Sequence, residues 1–322
     1  MPRKILITGA TGFVGSNLAR KLLSLGKGEE IHILTRTNSN LWRISDILEK
    51  IHNYSVDLLE EEKLKKILES IKPDYIFHLA TAGIHGGVSA SDRELVETNL
   101  IGLINLISAL KDVNYKGFIN VGSSSEYGLK DKPMKEMDLC EPMNAYGIIK
   151  LAATHYAGFI AKSQNKPIIA FRLFSPFGSY DDHRRLISKV ILDLLNNREL
   201  NLAKSEAVRD YIYIEDVIDL FLEAMDKADS LKGEVFNVGM GKEHKISEAV
   251  DLIAASINSK AKINWGTTPS QPWEPKKWEA DMSKTFSAFK WRPEHSFREG
   301  IEKTINWFKE NKNLYGQFFH NG

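Results

Sequence analysis

The chain has 322 residues, and 43 Lys+Arg against 42 Asp+Glu leave a formal net charge of +1. That length fits one large domain or two closely joined ones, and the balanced charge argues against a nucleic-acid or membrane-surface binder. The lone cysteine, Cys140, excludes an intramolecular disulfide and a cysteine-clustered metal site, and no apolar run reaches the roughly 18 residues that span a bilayer.

The first β-rich run is Ile5-Leu6-Ile7, cut off by Thr8-Gly9. It is too short for the core of a signal peptide, so a cytoplasmic protein is expected; no metal-binding residues are expected either. A helix over 12–25 follows, then strands at 31–34 and 54–56, a charged helix over 60–70 and a strand at 75–79. A long amphipathic segment, 95–110, precedes a strand at 117–121. A helix over 145–163 precedes a strand at 167–172. Short apolar strands alternating with helices of ten or more residues predict an α/β fold with a parallel, doubly wound (Rossmann) sheet covered on both faces. Beyond residue 178 the rhythm loosens, with helices near 187–195, 217–225, 247–257 and 298–310. The Pro- and Trp-rich segment 270–279 reads as a surface loop. The expected division is a dinucleotide-binding domain over 1–178, to which the chain returns around 206–240, and a substrate region lying mainly in 179–322.

Gly9-Ala10-Thr11-Gly12-Phe13-Val14-Gly15 stands between the first strand and its helix. Glycines spaced by three allow a tight turn and close approach to a pyrophosphate, and the helix N-terminus supplies free N–H groups. Where an acidic residue would hold the adenosine ribose of NAD, the second strand ends in Thr35-Arg36-Thr37. An arginine there suits a ribose 2′-phosphate, so NADP is preferred over NAD. Asp57 is placed to meet the adenine.

Tyr146 and Lys150 stand four apart on one helix face. A nearby ammonium favours the phenolate, so the pair is expected to bring the phenol down from its usual value of about 10. Such a phenol exchanges a proton with a sugar oxygen while a hydride moves at a nicotinamide. Val121-Gly122-Ser123-Ser124-Ser125-Glu126-Tyr127-Gly128 follows a strand, at the edge where an α/β sheet holds its ligand.

Together these runs resemble the extended short-chain dehydrogenase/reductase family, within it the nucleotide-sugar epimerases, dehydratases and ketoreductases. His78-Leu79-Ala80, Asn99, Arg172-Leu173-Phe174, Arg209-Asp210-Tyr211, Phe236-Asn237-Val238-Gly239 and Ala280-Asp281 extend the resemblance over nearly the whole chain. It implies catalysis by Ser123, Tyr146 and Lys150. It also implies dinucleotide contacts from the glycine loop (Gly9, Thr11, Gly12, Phe13, Val14, Gly15), Arg36, Asp57, Leu58, Leu79, Ala80, Thr81, Asn99, Val121, Tyr146, Lys150 and Phe174. Substrate contacts are implied for Ser124, Ser125, His85, Ser175 and Arg209, the last on the diphosphate. A homodimer through a four-helix bundle, built from 95–110 and 145–163, is implied as well.

The departures narrow the reaction. Dehydratases of the family carry an acid just after the catalytic hydroxyl, whereas this chain has Ser124 and Ser125, with Glu126 one place too late. The family's Asn after Arg-x-Phe is Ser175, and its Arg-Pro-Gly-Asp stretch is replaced by Pro272-Trp273-Glu274-Pro275-Lys276-Lys277-Trp278. The expected activity is reduction of the C4 keto group of a nucleotide-linked 4-keto-6-deoxyhexose. A 4-epimerase with retained NAD is the alternative, and a 4,6-dehydratase or a non-catalytic dinucleotide binder ranks behind both.

Overall fold

The structure, a computed structural model, describes residues 2–85, 88–203, 206–268 and 276–318. The first half alternates as the sequence predicts: β1 (Lys4–Thr8), α1 (Phe13–Leu25), β2 (Glu30–Thr35), β3 (His52–Ser55), α2 (Glu61–Ile71) and β4 (Tyr75–His78). Two-residue strands β5 (Ile84–His85) and β6 (Val88–Ser89) pair antiparallel beyond β4. A continuous helix follows as α3 (Asp92–Val96), a π-helical turn over Glu97–Ile101, and α4 (Gly102–Ala109). It starts earlier than the apolar periodicity implies because Ser91 and Glu94 form a reciprocal capping box. Then come β7 (Gly117–Ser123), α5 (Ala145–Ser163) and β8 (Ile168–Leu173).

The second half is built from shorter pieces: β9 (Ser175–Phe177), α6 (Leu186–Leu195), β10 (Leu200–Leu202), β11 (Val208–Tyr213), α7 (Ile214–Met225) and β12 (Val235–Val238). They are followed by β13 (Glu243–Lys245), α8 (Ile246–Ile257), β14 (Ile263–Trp265), α9 (Ser283–Ala288) and α10 (Phe297–Glu310). Strand β12 rejoins the main sheet beside β8, while β13-β11-β9 and β10-β14 form small sheets of their own.

The main sheet is parallel throughout, in the order β12-β8-β7-β4-β1-β2-β3. Alternate residues of each strand fill opposite cores. Leu6, Ile76, Phe118 and Ile168 face the layer of α2, α4 and α5, whereas Ile5, Ile7, Phe77, Ile119 and Phe171 face that of α1, α6 and α7. Both faces are apolar, so the strands show no polar alternation. The chain runs outward from β1 through β2 to β3, then crosses back to β4 and runs the other way. The switch point therefore falls between the C-terminal ends of β1 and β4, where sheets of this class hold ligands. Among the described residues, no helix is long and apolar enough to cross a membrane and no His/Cys/Asp/Glu group has the arrangement of a metal site.

Candidate active site

The glycine loop fills that switch point. Gly9 has φ +73°, and a Cβ there would lie 2.5 Å from the Leu79 carbonyl carbon, so only glycine lets β1 turn against the end of β4. Gly12 differs: φ is −83°, and a Cβ would meet only the Gly9 carbonyl, at 3.2 Å. Chain packing accounts poorly for a glycine there, whereas close approach of an external group accounts for it well. Gly12 is also the N-cap of α1, no side chain caps that end, and its first turn carries no acid. Free N–H groups and a positive dipole end thus face the crevice, and a dinucleotide pyrophosphate fits both. Thr8 braces the site from below, its hydroxyl bonding His78 Nδ1 at 2.8 Å and accepting from the Ala80 N–H at 3.2 Å.

Asn99 sits in the π-helical turn, 2% exposed, and clamps the segment after β4. Its Oδ1 accepts from the Thr81 hydroxyl (2.8 Å) and the Ala82 N–H (3.0 Å), while its Nδ2 donates to the Ala82 carbonyl (2.9 Å). The clamp holds Gly83 against the Tyr146 ring; a Cβ on Gly83 would stand 3.5 Å from Cε2.

Tyr146 lies in the first turn of α5, which Asn144 caps through the Gly147 N–H at 2.8 Å. A Cβ on Gly147 would come 2.5 Å from the Ser125 carbonyl, so this glycine lets the helix press onto the turn after β7. Ser123, Thr81 and Tyr146 thereby meet. Burial raises the phenol above its ordinary value, side-chain hydrogen bonds from Ser123 and Thr81 pull it down, and the Glu126 charge pushes it up. The sequence-based expectation that Lys150 lowers the phenol is corrected here. Lys150 is 5% exposed, its Nζ donates to the Val121 carbonyl, and burial brings its own value down to about 8.

Glu126 is fully buried below the serines. It accepts from the Ser123 N–H (2.8 Å), the Thr154 hydroxyl (3.0 Å) and Arg172 Nε (2.8 Å). Burial disfavours the Arg172 charge, but Glu126 and Tyr127 more than offset this and raise its value. The guanidinium also lies 4.5 Å from the centre of the Tyr127 ring. The one acid of the serine run is thus an internal brace.

Beside the crevice, between β9, β11 and α6, lies a cavity of about 350 Å³ lined in part by Ser175, Asp181, Arg185, Leu202, Arg209 and Tyr211. Arg185 pairs with the buried Asp181 at 2.9 Å and lies 5.6 Å over the Phe13 ring, so one cation borders both the glycine loop and the cavity. The Tyr211 hydroxyl is buried with no hydrogen-bond partner among the described residues.

The structure therefore groups Gly9, Thr11, Gly12, Phe13, Val14, Gly15, Leu79, Ala80, Thr81 and Asn99 about the crevice, with Ser123, Tyr146, Lys150 and Val121 beside it. Ser175 and Arg209 line the cavity. Arg36 is exposed just past β2, its N–H bonded to Ser39 Oγ at 2.9 Å, and no carboxylate replaces it at that strand end. Asp57 opens the turn into α2, and the adjacent Leu58 carbonyl accepts from Asn105 at 3.0 Å. Phe174 is buried, 6.4 Å ring to ring from Tyr127. The side chain of His85, and residues 270–275 of the Pro/Trp-rich segment, lie outside the described residues. The sequence assigns no site role to Arg185, Arg172, Thr154 or Trp278; the last three act through partners 46, 28 and 154 residues away, whereas Arg185 pairs with Asp181 four residues before it.

A crevice built for a dinucleotide, a Ser–Tyr–Lys group and an arginine-lined cavity define a nucleotide-handling oxidoreductase of the doubly wound class. Residues 5–239 match the NAD dependent epimerase/dehydratase family, and the chain belongs to it. It is 27% identical to the dTDP-D-glucose 4,6-dehydratase of Dictyostelium discoideum, over 97% of this chain and 83% of that protein. The UDP-glucose 4-epimerase of Thermotoga maritima, solved with UDP-glucose, superposes with a TM-score of 0.88 at 25% identity, covering 96% of this chain and 99% of the other. The UDP-glucuronic acid 4-epimerase of Bacillus cereus, solved with UDP-glucuronic acid and NAD, gives 0.85 at 26% identity with the same coverage.

Proposed function

We propose that the protein reduces the C4 keto group of a nucleotide-linked 4-keto-6-deoxyhexose, using NADPH. The observation that carries this reading is the confinement of Glu126: Ser124 and Ser125 follow Ser123, and the nearest acid is spent on Arg172. Elimination of water needs an acid or base at the sugar, and this turn supplies none. Reduction needs only a proton donor for the forming alkoxide, and Tyr146 is that donor, with Ser123 sharing the same oxygen. The nicotinamide, when bound, supplies the hydride. Lys150 fits the nicotinamide ribose, and Arg209 and Arg185 fit a diphosphate in the cavity, Ser175 lying beside them. Arg36, with Thr37 bonded to Ser55 at 3.2 Å, suits a ribose 2′-phosphate.

A 4-epimerase that retains NAD is the second reading, favoured by the epimerase complexes named above. Purified protein separates the two. A reductase consumes added NADPH with a keto sugar, whereas an epimerase carries bound NAD and needs no added cofactor.

The protein is also proposed to pair with a second copy. Ile148 (55% exposed) and Phe159 (63%) stand eleven residues apart on α5, about three turns and so on one face. Val96 and Ile101 are exposed on the neighbouring helix. Such an apolar face suits a four-helix interface.

A further inference from the structure

Residues 277–281 form a strap between the small sheet and the loop that follows β7. The Trp278 N–H donates to Glu243 at 3.0 Å, Lys277 bridges Glu243 (3.2 Å) and Glu279 (2.8 Å), and the Ala280 N–H donates to Asp210 at 3.0 Å. On the other side, the Met134 N–H donates to the Glu279 carbonyl and the Asp281 N–H to the Met134 carbonyl, each at 2.8 Å. Five residues thus hold one aromatic side chain in place.

The Trp278 indole Nε1–H donates to Ser124 Oγ at 3.2 Å. Ser124 is 5% exposed and directly follows Ser123, whose hydroxyl lies close enough to Tyr146 to favour its ionised form. Trp278 itself is only partly buried, and the Nε1 edge of its indole lies against the turn that carries Ser123. An indole whose N–H is satisfied inward and whose ring is partly open presents an apolar π-surface. Such a surface matches the C–H face of a pyranose, while hydroxyls and carbonyl turn toward Ser123 and Tyr146.

We propose that Trp278 is a sugar-binding residue. Its ring forms a wall of the hexose subsite and its N–H, through Ser124, fixes the turn that positions Ser123. The inference rests on the reading of this crevice as a nucleotide-sugar site and adds the residue that grips the sugar rather than the nucleotide.

Two ligand pairs test it by calorimetry: UDP with UDP-glucose, and dTDP with dTDP-glucose. Trp278→Ala is expected to weaken the nucleotide sugar about tenfold, the upper end for one aromatic contact, while leaving the nucleoside diphosphate within twofold. Trp278→Phe keeps a ring and guards against collapse of the strap; it is expected to lose about threefold on the sugar alone. Tryptophan emission of the unaltered protein is expected to change with the nucleotide sugar more than with the diphosphate, and that difference should vanish in Trp278→Phe. Equal losses for both ligands, or no loss for either, overturn the inference and leave the functional reading standing. Failure of the unaltered protein to bind any nucleotide sugar overturns both.

Discussion

Arg172 Nε donates to Glu126 Oε2 at 2.8 Å in a pair whose side chains are 3% and 0% exposed, and the same carboxylate accepts from the backbone of Ser123. Removing one partner of a buried pair strands the other's charge at a cost of about 3–5 kcal/mol. Glu126→Ala should lower the unfolding free energy by that amount in urea and also depress kcat, because Ser123 loses an anchor. Glu126→Leu combined with Arg172→Met should recover much of the stability but not the activity. A loss below about 1 kcal/mol for Glu126→Ala would show that the pair does not brace the turn.

The cradle separates folding from binding. Gly12→Ala should keep the fold, since its Cβ meets only one carbonyl at 3.2 Å, yet weaken dinucleotide binding at least tenfold. Gly9→Ala should destabilise the protein outright, by about 1–3 kcal/mol for the positive φ alone. Thermal unfolding beside a cofactor titration distinguishes them; normal dinucleotide affinity in Gly12→Ala would place the pyrophosphate elsewhere.

Tyr146→Phe should bind the dinucleotide normally and turn over about 10²–10⁴-fold more slowly. The pH profile follows from the neighbouring charges. Burial holds the phenol up, so Tyr146 keeps its proton through neutral pH, whereas Lys150, brought down to about 8, loses its charge above that pH. For reduction, kcat/KM should therefore fall as pH rises through about 8. Lys150→Arg, whose charge does not titrate in this range, should remove that limb. A profile flat to pH 10 would mean that the Lys150 charge takes no part.

Arg36 faces solvent past β2 with no carboxylate in its place. Arg36→Asp should shift preference from NADPH toward NADH by at least tenfold, since a carboxylate repels the 2′-phosphate and accepts from a ribose hydroxyl. Unchanged relative kcat/KM values would make Arg36 a bystander and favour the NAD-retaining epimerase.

The sheet was legible because each strand is a short apolar run with both faces covered, and the glycine loop and Tyr146-Lys150 were legible because their spacing is local. What escaped depends on distant partners. Glu126 finds Arg172 46 residues on, and Trp278 finds Ser124 154 residues back. No periodicity carries such pairings. The three-residue strands β9, β10, β13 and β14 are too short to show a period of two, and the π-helical turn at Asn99 leaves no compositional mark. The Tyr146 phenol differs from expectation because burial, which the spacing of Tyr146 and Lys150 does not show, holds it up, while the Lys150 ammonium is turned to the Val121 carbonyl.

The most direct measurement supplies a nucleotide-linked 4-keto-6-deoxyhexose with NADPH deuterated at the transferable C4 position and follows the sugar by NMR and mass spectrometry. The account requires one deuterium at sugar C4 for each NADPH oxidised, and no such transfer in Tyr146→Phe beyond its residual rate. Interconversion of two 4-hydroxy sugars with no net oxidation of NADPH would contradict it and establish an epimerase.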